Sequence, residues 1–208
     1  MTDMNGLPLR RPLARALLCG ALLACFSGCA PIIVGGAVMG TVAAADRRTL
    51  GAQTEDKTIA LKSELRIPKV AGDTGHVNIA SFNRRVLLTG EVRDAATKAA
   101  VEREASAIEG VRAVFNELEI AGPATYTSRS MDALITTKVK ASLVDMKTVS
   151  AASFKVVTEN GVVYLMGRVT QREGTIAGDI ARSVGSVRKV VKIFEYISEE
   201  ELRQMTGK

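Results

Sequence analysis

The stretch Val156-Val157-Thr158-Glu159-Asn160-Gly161-Val162-Val163-Tyr164-Leu165-Met166-Gly167-Arg168-Val169 decides the fold of this chain. Two runs rich in β-branched and aromatic side chains flank Asn160-Gly161. That dipeptide tolerates the positive φ angles of a two-residue turn, so the stretch predicts a β-hairpin. Thr170-Gln171-Arg172-Glu173 comes next. A Thr with Glu three residues on has the form of a capping box, and a helix is expected to start there.

The same pattern occurs earlier. Residues 86–92 (Val-Leu-Leu-Thr-Gly-Glu-Val) align with residues 163–169 (Val-Tyr-Leu-Met-Gly-Arg-Val) at an offset of about 77, which also brings Asn83 onto Asn160. Self-similarity at a fixed spacing means two copies of one small module. In the first copy, Ile59, Leu61 and Leu65 predict a short helix ending before Pro68, because the residue ahead of a proline avoids the helical region. Strands are expected over 76–81 and 86–92, a helix over 95–108 capped by Asp94 and closed by Gly110, and a third strand over 112–120. Residues 46–58 read as a polar linker and 121–129 as the link between copies.

The second copy predicts a helix over 132–144, with Ile135, Val139 and Leu143 on one face. A hairpin over 153–158 and 162–169 follows. A helix over 171–184 is weakened at Gly174 and Gly178 by up to roughly 1 kcal/mol each, and a last strand covers 188–197. The fold class is α+β: two tandem α-β-β-α-β modules, each a mixed three-stranded sheet with two helices on one face. The expected division is a leader over 1–28, a tether over 29–54, modules over 55–122 and 127–198, and a C-terminal tail over 199–208.

Charge is unevenly placed. Residues 55–120 hold ten Lys/Arg against eleven Asp/Glu, whereas residues 129–197 hold eleven against six, so the second module carries nearly all the basic excess of the folded part. This favours an anionic partner for that module, although an ordinary solvated surface has the same look. Aromatic residues are only 4% and Trp is absent, which weakens any case for a base-stacking nucleic-acid surface. No run of about 18 apolar residues is free of charges or breaks, so no membrane-spanning helix is expected.

Arg10, Arg11 and Arg15 precede an apolar run over 16–26, the layout of a secretory signal. The run ends in Phe26-Ser27-Gly28-Cys29, which resembles the bacterial lipoprotein signal box, with Phe26 in place of the usual Leu. The resemblance implies cleavage after residue 28 and acylation of Cys29 by diacylglycerol and a fatty acid such as palmitate. Leu22-Leu23-Ala24-Cys25 is a competing box; small residues at both Ser27 and Gly28 favour Cys29. Cys19 and Cys25 would leave with the signal, so the mature chain would hold neither free thiol nor disulfide. Ala30 stands where lipoproteins kept at the inner membrane often carry Asp, so the resemblance implies the outer membrane. Several acyl chains anchor a protein at roughly 0.8 kcal/mol per buried methylene.

The repeated α-β-β-α-β order, each copy with an apolar strand ending in Gly-x-Val before a helix, resembles the BON domain family. The lines that carry it are residues 86–92 and 111–118 in the first copy, and 158–169 and 187–190 in the second. The anchor, residues 46–53 and residues 134–139 extend the likeness to dual-BON outer-membrane lipoproteins over nearly the whole chain. The resemblance implies a periplasm-facing protein that binds rather than catalyses and that supports the outer membrane under envelope stress and at cell division. It also implies that the second module binds anionic phospholipid, phosphatidylglycerol or cardiolipin, through its first helix and the adjoining strand end.

On this sequence the implied site comprises Leu134, Thr137, Lys138 and Ala141 on the helix flank, with Arg168 and Val169 at the strand end. Leu134 beside Lys138 suits a lipid interface: an apolar group inserts while an ammonium meets the phosphates. Against this, Leu134 lacks the amphipathic ring that favours an interface, and packing of Leu134 on the linker is the plainer alternative. A rival reading is a protein-interaction adaptor for outer-membrane assembly machinery, with lipid contact incidental. Val162, Tyr164 and Met166 alternate on one strand face, either to pack against the other module or to dock a protein. One histidine, His76, and no mature thiol leave no catalytic constellation, cofactor loop or metal set to expect.

Overall fold

The computed structural model describes residues 46–73 and 75–206. The signal, Cys29 and the rest of residues 1–45 lie outside the described residues. The first repeat runs α1 (Leu50–Ala71), β1 (His76–Phe82), β2 (Arg85–Val92), α2 (Ala95–Ser106), β3 (Ala113–Asn116) and β4 (Glu119–Ile120). The second runs α3 (Tyr126–Asp145), a 3-10 turn (Ala151–Ser153), β5 (Phe154–Glu159), β6 (Val162–Val169), α4 (Gln171–Ser183) and β7 (Lys189–Tyr196). A last helix, α5 (Glu199–Thr206), occupies the tail.

Each repeat is an antiparallel hairpin plus a third strand laid parallel to its second strand after a helical crossover. Both turns are two residues long and left-handed: Asn83 and Arg84 have φ of 50° and 63°, Asn160 and Gly161 have 47° and 72°. A buried carboxylate holds each turn. Asp56 of α1 accepts the Asn83 and Arg84 backbone N–H at 2.7 and 2.8 Å. Asp132 of α3 accepts those of Asn160 and Gly161 at 2.9 and 2.8 Å. Charge-assisted bonds to two adjacent amides stabilise a backbone that Arg84, having a Cβ, would otherwise avoid.

The Gly-x-Val motif also has a steric origin. A Cβ on Gly90 would stand 2.1 Å from the His76 carbonyl oxygen, and one on Gly167 would stand 2.6 Å from that of Ser153. Backbone of the partner strand, or of the turn leading into it, crosses there, so only glycine fits. The expected capping box is present, with Thr170 and Glu173 exchanging bonds at 3.0 and 3.3 Å.

Three cores result. Val86, Leu88 and Val92 of β2 pack under Ile59, Ile67 and Val101 of the first repeat's helices. Val163, Leu165 and Val169 of β6 pack under Ile135, Val139, Leu143 and Ala177. The opposite faces meet each other: Ala80, Phe82 and Leu87 stack against Tyr164, Met166 and Ile193. Tyr164 and Met166 therefore pack against the other repeat, the first of their two readings. The two sheets are back to back, each roofed by its own helices; β6 is apolar on both faces through Met166, whereas β2 turns Arg85, Thr89 and Glu91 beside Leu87 toward the other repeat.

Five boundaries differ from expectation. α3 begins at Tyr126, inside the expected link and six residues before the expected start, because Thr125 caps it by accepting the Ser128 N–H at 3.2 Å. α1 begins at Leu50, inside the supposed linker, because Thr49 caps it by accepting the Ala52 N–H at 3.1 Å. It also runs past Pro68; the lost amide bond is offset by burying Ile67 and Ala71 in the first core, and the Gly72 N–H closes on the Pro68 carbonyl at 3.0 Å. The first repeat's third strand breaks at Glu117 and Leu118, where the Asn116 side chain turns toward α2 to bond the Lys98 carbonyl at 3.1 Å. The tail forms a helix because Ser198 accepts the Glu201 N–H and three glutamates face its positive end.

Candidate functional site

Helix α3 buries Asp132, Ile135, Val139 and Leu143, the face that the spacing predicted. The remaining circumference divides into two flanks. One carries Arg129, Ala133 and Thr136 and faces β5 and the first repeat's His76 and Asn78 across a cleft of about 520 Å³. The other carries Leu134, Thr137, Lys138 and Ala141, all exposed. Leu134 retains 53% of its surface, and the helix also exposes Met131 and Val144, with Met146 just beyond its end. The first repeat does not cover this flank. Thr137 donates its hydroxyl back to the Ala133 carbonyl at 2.9 Å, and Lys138 makes no ion pair among the described residues.

The strand-end residues behave differently. Val169 is fully buried in the second core, so its side chain offers a lipid nothing. Arg168 is ion-paired with Glu195 at 3.2 Å and with Glu201 of α5. Its charge is matched within the protein. Glu195 lies on the neighbouring strand β7, and the Glu201 contact needs a helix in the tail, which the sequence reading did not expect.

At the seam, His76 Nδ1 lies 3.6 Å from the buried Glu91 carboxylate. Burial, then the nearby Arg129 charge, lowers the imidazole below its ordinary value, so it is neutral at neutral pH. Glu159 accepts the Thr89 hydroxyl at 3.3 Å, and burial together with the Glu91 charge raises its carboxyl above the usual range. Among the described residues no three His, Cys, Asp or Glu side chains gather as metal ligands, and no helix is long and apolar enough to cross a membrane.

The BON domain family model matches residues 55–122 and again 131–197. The chain belongs to the BON family. It shares 38% identity with the outer membrane lipoprotein DolP of Haemophilus influenzae, over 88% of this chain and 95% of that protein. It shares 30% with a 21 kDa hemolysin of Actinobacillus pleuropneumoniae, over 73% of this chain and 79% of that one. It is therefore a dual-BON protein of the DolP type. A solved structure of CdsD, a structural protein of the type III secretion system of Chlamydia trachomatis, covers 68% of this BON chain and 96% of its own at 13% identity. Its TM-score of 0.30 is too low to support any argument.

Two features escaped the sequence reading. The Asp56 and Asp132 clamps are helix-borne acids that look like ordinary surface charges until the turn is folded against them. The other is the set of additional apolar residues beside Leu134.

Proposed function

We propose that this BON protein is an outer-membrane lipoprotein, anchored through acylated Cys29 and facing the periplasm, whose second BON domain binds anionic phospholipid through Leu134, Thr137, Lys138 and Ala141. Its role is binding that supports the envelope, including at division, and not catalysis. One observation carries the reading: an exposed Leu134 and a Lys138 that is unpaired among the described residues share a helix flank that the first repeat leaves open. A lysine near an anionic bilayer contributes roughly 1 kcal/mol, and inserting a Leu side chain contributes up to about 1.5–3 kcal/mol. Arg168 and Val169 are left out of the contact set.

The test is vesicle flotation of protein produced without the acylated Cys29. Binding to phosphatidylglycerol or cardiolipin vesicles, none to phosphatidylcholine, and loss in Lys138→Glu support the reading. Equal flotation of Lys138→Glu removes it. The adaptor reading is favoured by another surface: α1 exposes Leu50, Leu61 and Leu65 on the outer layer of the first repeat. Retention of envelope assembly proteins by Lys138→Glu, with lipid binding gone, would favour it.

A further inference from the structure

Asp46, Arg47 and Arg48 cross the seam between the repeats. Arg48 belongs to the first repeat: its guanidinium bonds Asp56 at 2.8 Å and Asp46 at 2.7 Å, and lies 4.2 Å over the ring of Phe82 in the shared core. Arg47 turns the other way. Its two terminal nitrogens donate to both oxygens of Glu173 at 2.6 and 2.7 Å, and one also donates to the Arg168 carbonyl at 3.1 Å. The pair is sealed from water, with side-chain exposures of 8% and 4%. The same Glu173 closes the capping box of α4. Burial alone would raise its carboxyl, but the bonds from Arg47 and the Thr170 N–H hold it below the usual range. A planar bidentate pair of this kind fixes direction as well as contact.

From these contacts we infer that residues 46–48 are a positioning strap: they fix the point where the N-terminal tether leaves the folded body at the β6–α4 junction of the second repeat. The inference rests on the lipid-binding reading above. Residues 30–45 reach at most about 55 Å when fully extended. Were residues 46–48 free, the tether would swing from Thr49 at the start of α1, and the body would present more of its faces to the bilayer. With the strap closed, the exit point is fixed at the second repeat's β6–α4 junction, and this restriction favours the orientations that bring α3 to the bilayer. That is a gain in effective concentration without a new lipid contact. Arg47 is thus a positioning residue, acting through Glu173 and touching no lipid.

The test uses the full acylated chain in vesicles, with an environment-sensitive fluorophore on Ser130→Cys, an exposed α3 position one turn before Leu134. In phosphatidylglycerol vesicles the emission should shift to the blue, and in phosphatidylcholine vesicles it should not. Arg47→Ala should lose at least half of that shift, and Arg47→Lys, which keeps the charge but cannot span both Glu173 oxygens, should restore only part of it, with melting temperature and amide fingerprint as fold controls. Arg47→Met, which keeps the packing without the charge, replaces Arg47→Ala if the latter does not fold. A full blue shift in the Ala or Met variant overturns the strap and leaves lipid binding standing. No shift in the parent chain overturns lipid binding and the strap together.

Discussion

The two repeats share a frame and differ on its outside. In register, Asp56, Ile59, Ser63 and Ile67 of α1 correspond to Asp132, Ile135, Val139 and Leu143 of α3, and all eight are buried. The outward positions correspond as Thr58 with Leu134, Leu61 with Thr137, Lys62 with Lys138, and Leu65 with Ala141. Both repeats therefore place a lysine and apolar groups on the same flank. What separates them is a neighbour. Lys62 is paired with Glu109 at 3.1 Å, whereas the second repeat has Gly185 at the position of Glu109, in register through the left-handed Gly110 and Ser186. An absent acid, more than an added base, leaves Lys138 without an ion-pair partner among the described residues, the feature on which the proposed phosphate contact depends.

The largest effect should come from breaking the shared frame. Asp132→Ala leaves two turn amides without their carboxylate and should cost about 2–4 kcal/mol. Asp56→Ala should cost more, because Asp56 also binds Arg48 and accepts the Ser81 hydroxyl at 2.7 Å. Denaturant midpoints check the order.

Next comes the flank itself. Lys138→Glu reverses one charge at the interface and should weaken phosphatidylglycerol binding about 10- to 30-fold, near 1.4–2 kcal/mol, while Lys62→Glu leaves it unchanged. A sharper version recreates the first repeat's arrangement in the second. Gly185→Glu, at an open position, should bring a carboxylate toward Lys138 and reduce affinity about 3- to 5-fold, near 1 kcal/mol. Vesicle titration reads both.

The smallest effect lies at the seam. Burial and Glu91 raise the Glu159 carboxyl in the folded chain above its unfolded value. Its contribution is therefore fully present below the unfolded value and is lost as pH rises through the folded one. Glu159→Gln should stabilise the chain at neutral pH by about 1 kcal/mol or less. The gain should vanish below the ordinary carboxylate range, where the parent Glu159 is protonated in both states. Melting curves across that range check it.

Much of this was legible from local chemistry. Asn160-Gly161, the Thr170–Glu173 box and the Ile135-Val139-Leu143 spacing each specify their element within a few residues. The offset of the two Gly-x-Val lines gave the duplication. What was hidden depends on distant partners. α1 extends into a polar stretch because Thr49 caps it and the shared core holds Phe82 under Arg48. Pro68 is tolerated because Ile67 and Ala71 are buried. Val169 looked like part of a surface, yet strand alternation sends it into the second core beside Leu165. Arg168 looked available until α5 supplied Glu201. Leu134, Thr137, Lys138 and Ala141 share an exposed flank because helical periodicity alone puts them there.

The most direct measurement is a residue-resolved amide titration of the protein with phosphatidylglycerol micelles. Shifts concentrated on Leu134, Thr137, Lys138 and Ala141, with Leu61, Lys62 and Leu65 unmoved, are the predicted result. Shifts on α1 instead, or none on α3, would contradict the claim that the second repeat alone meets the membrane.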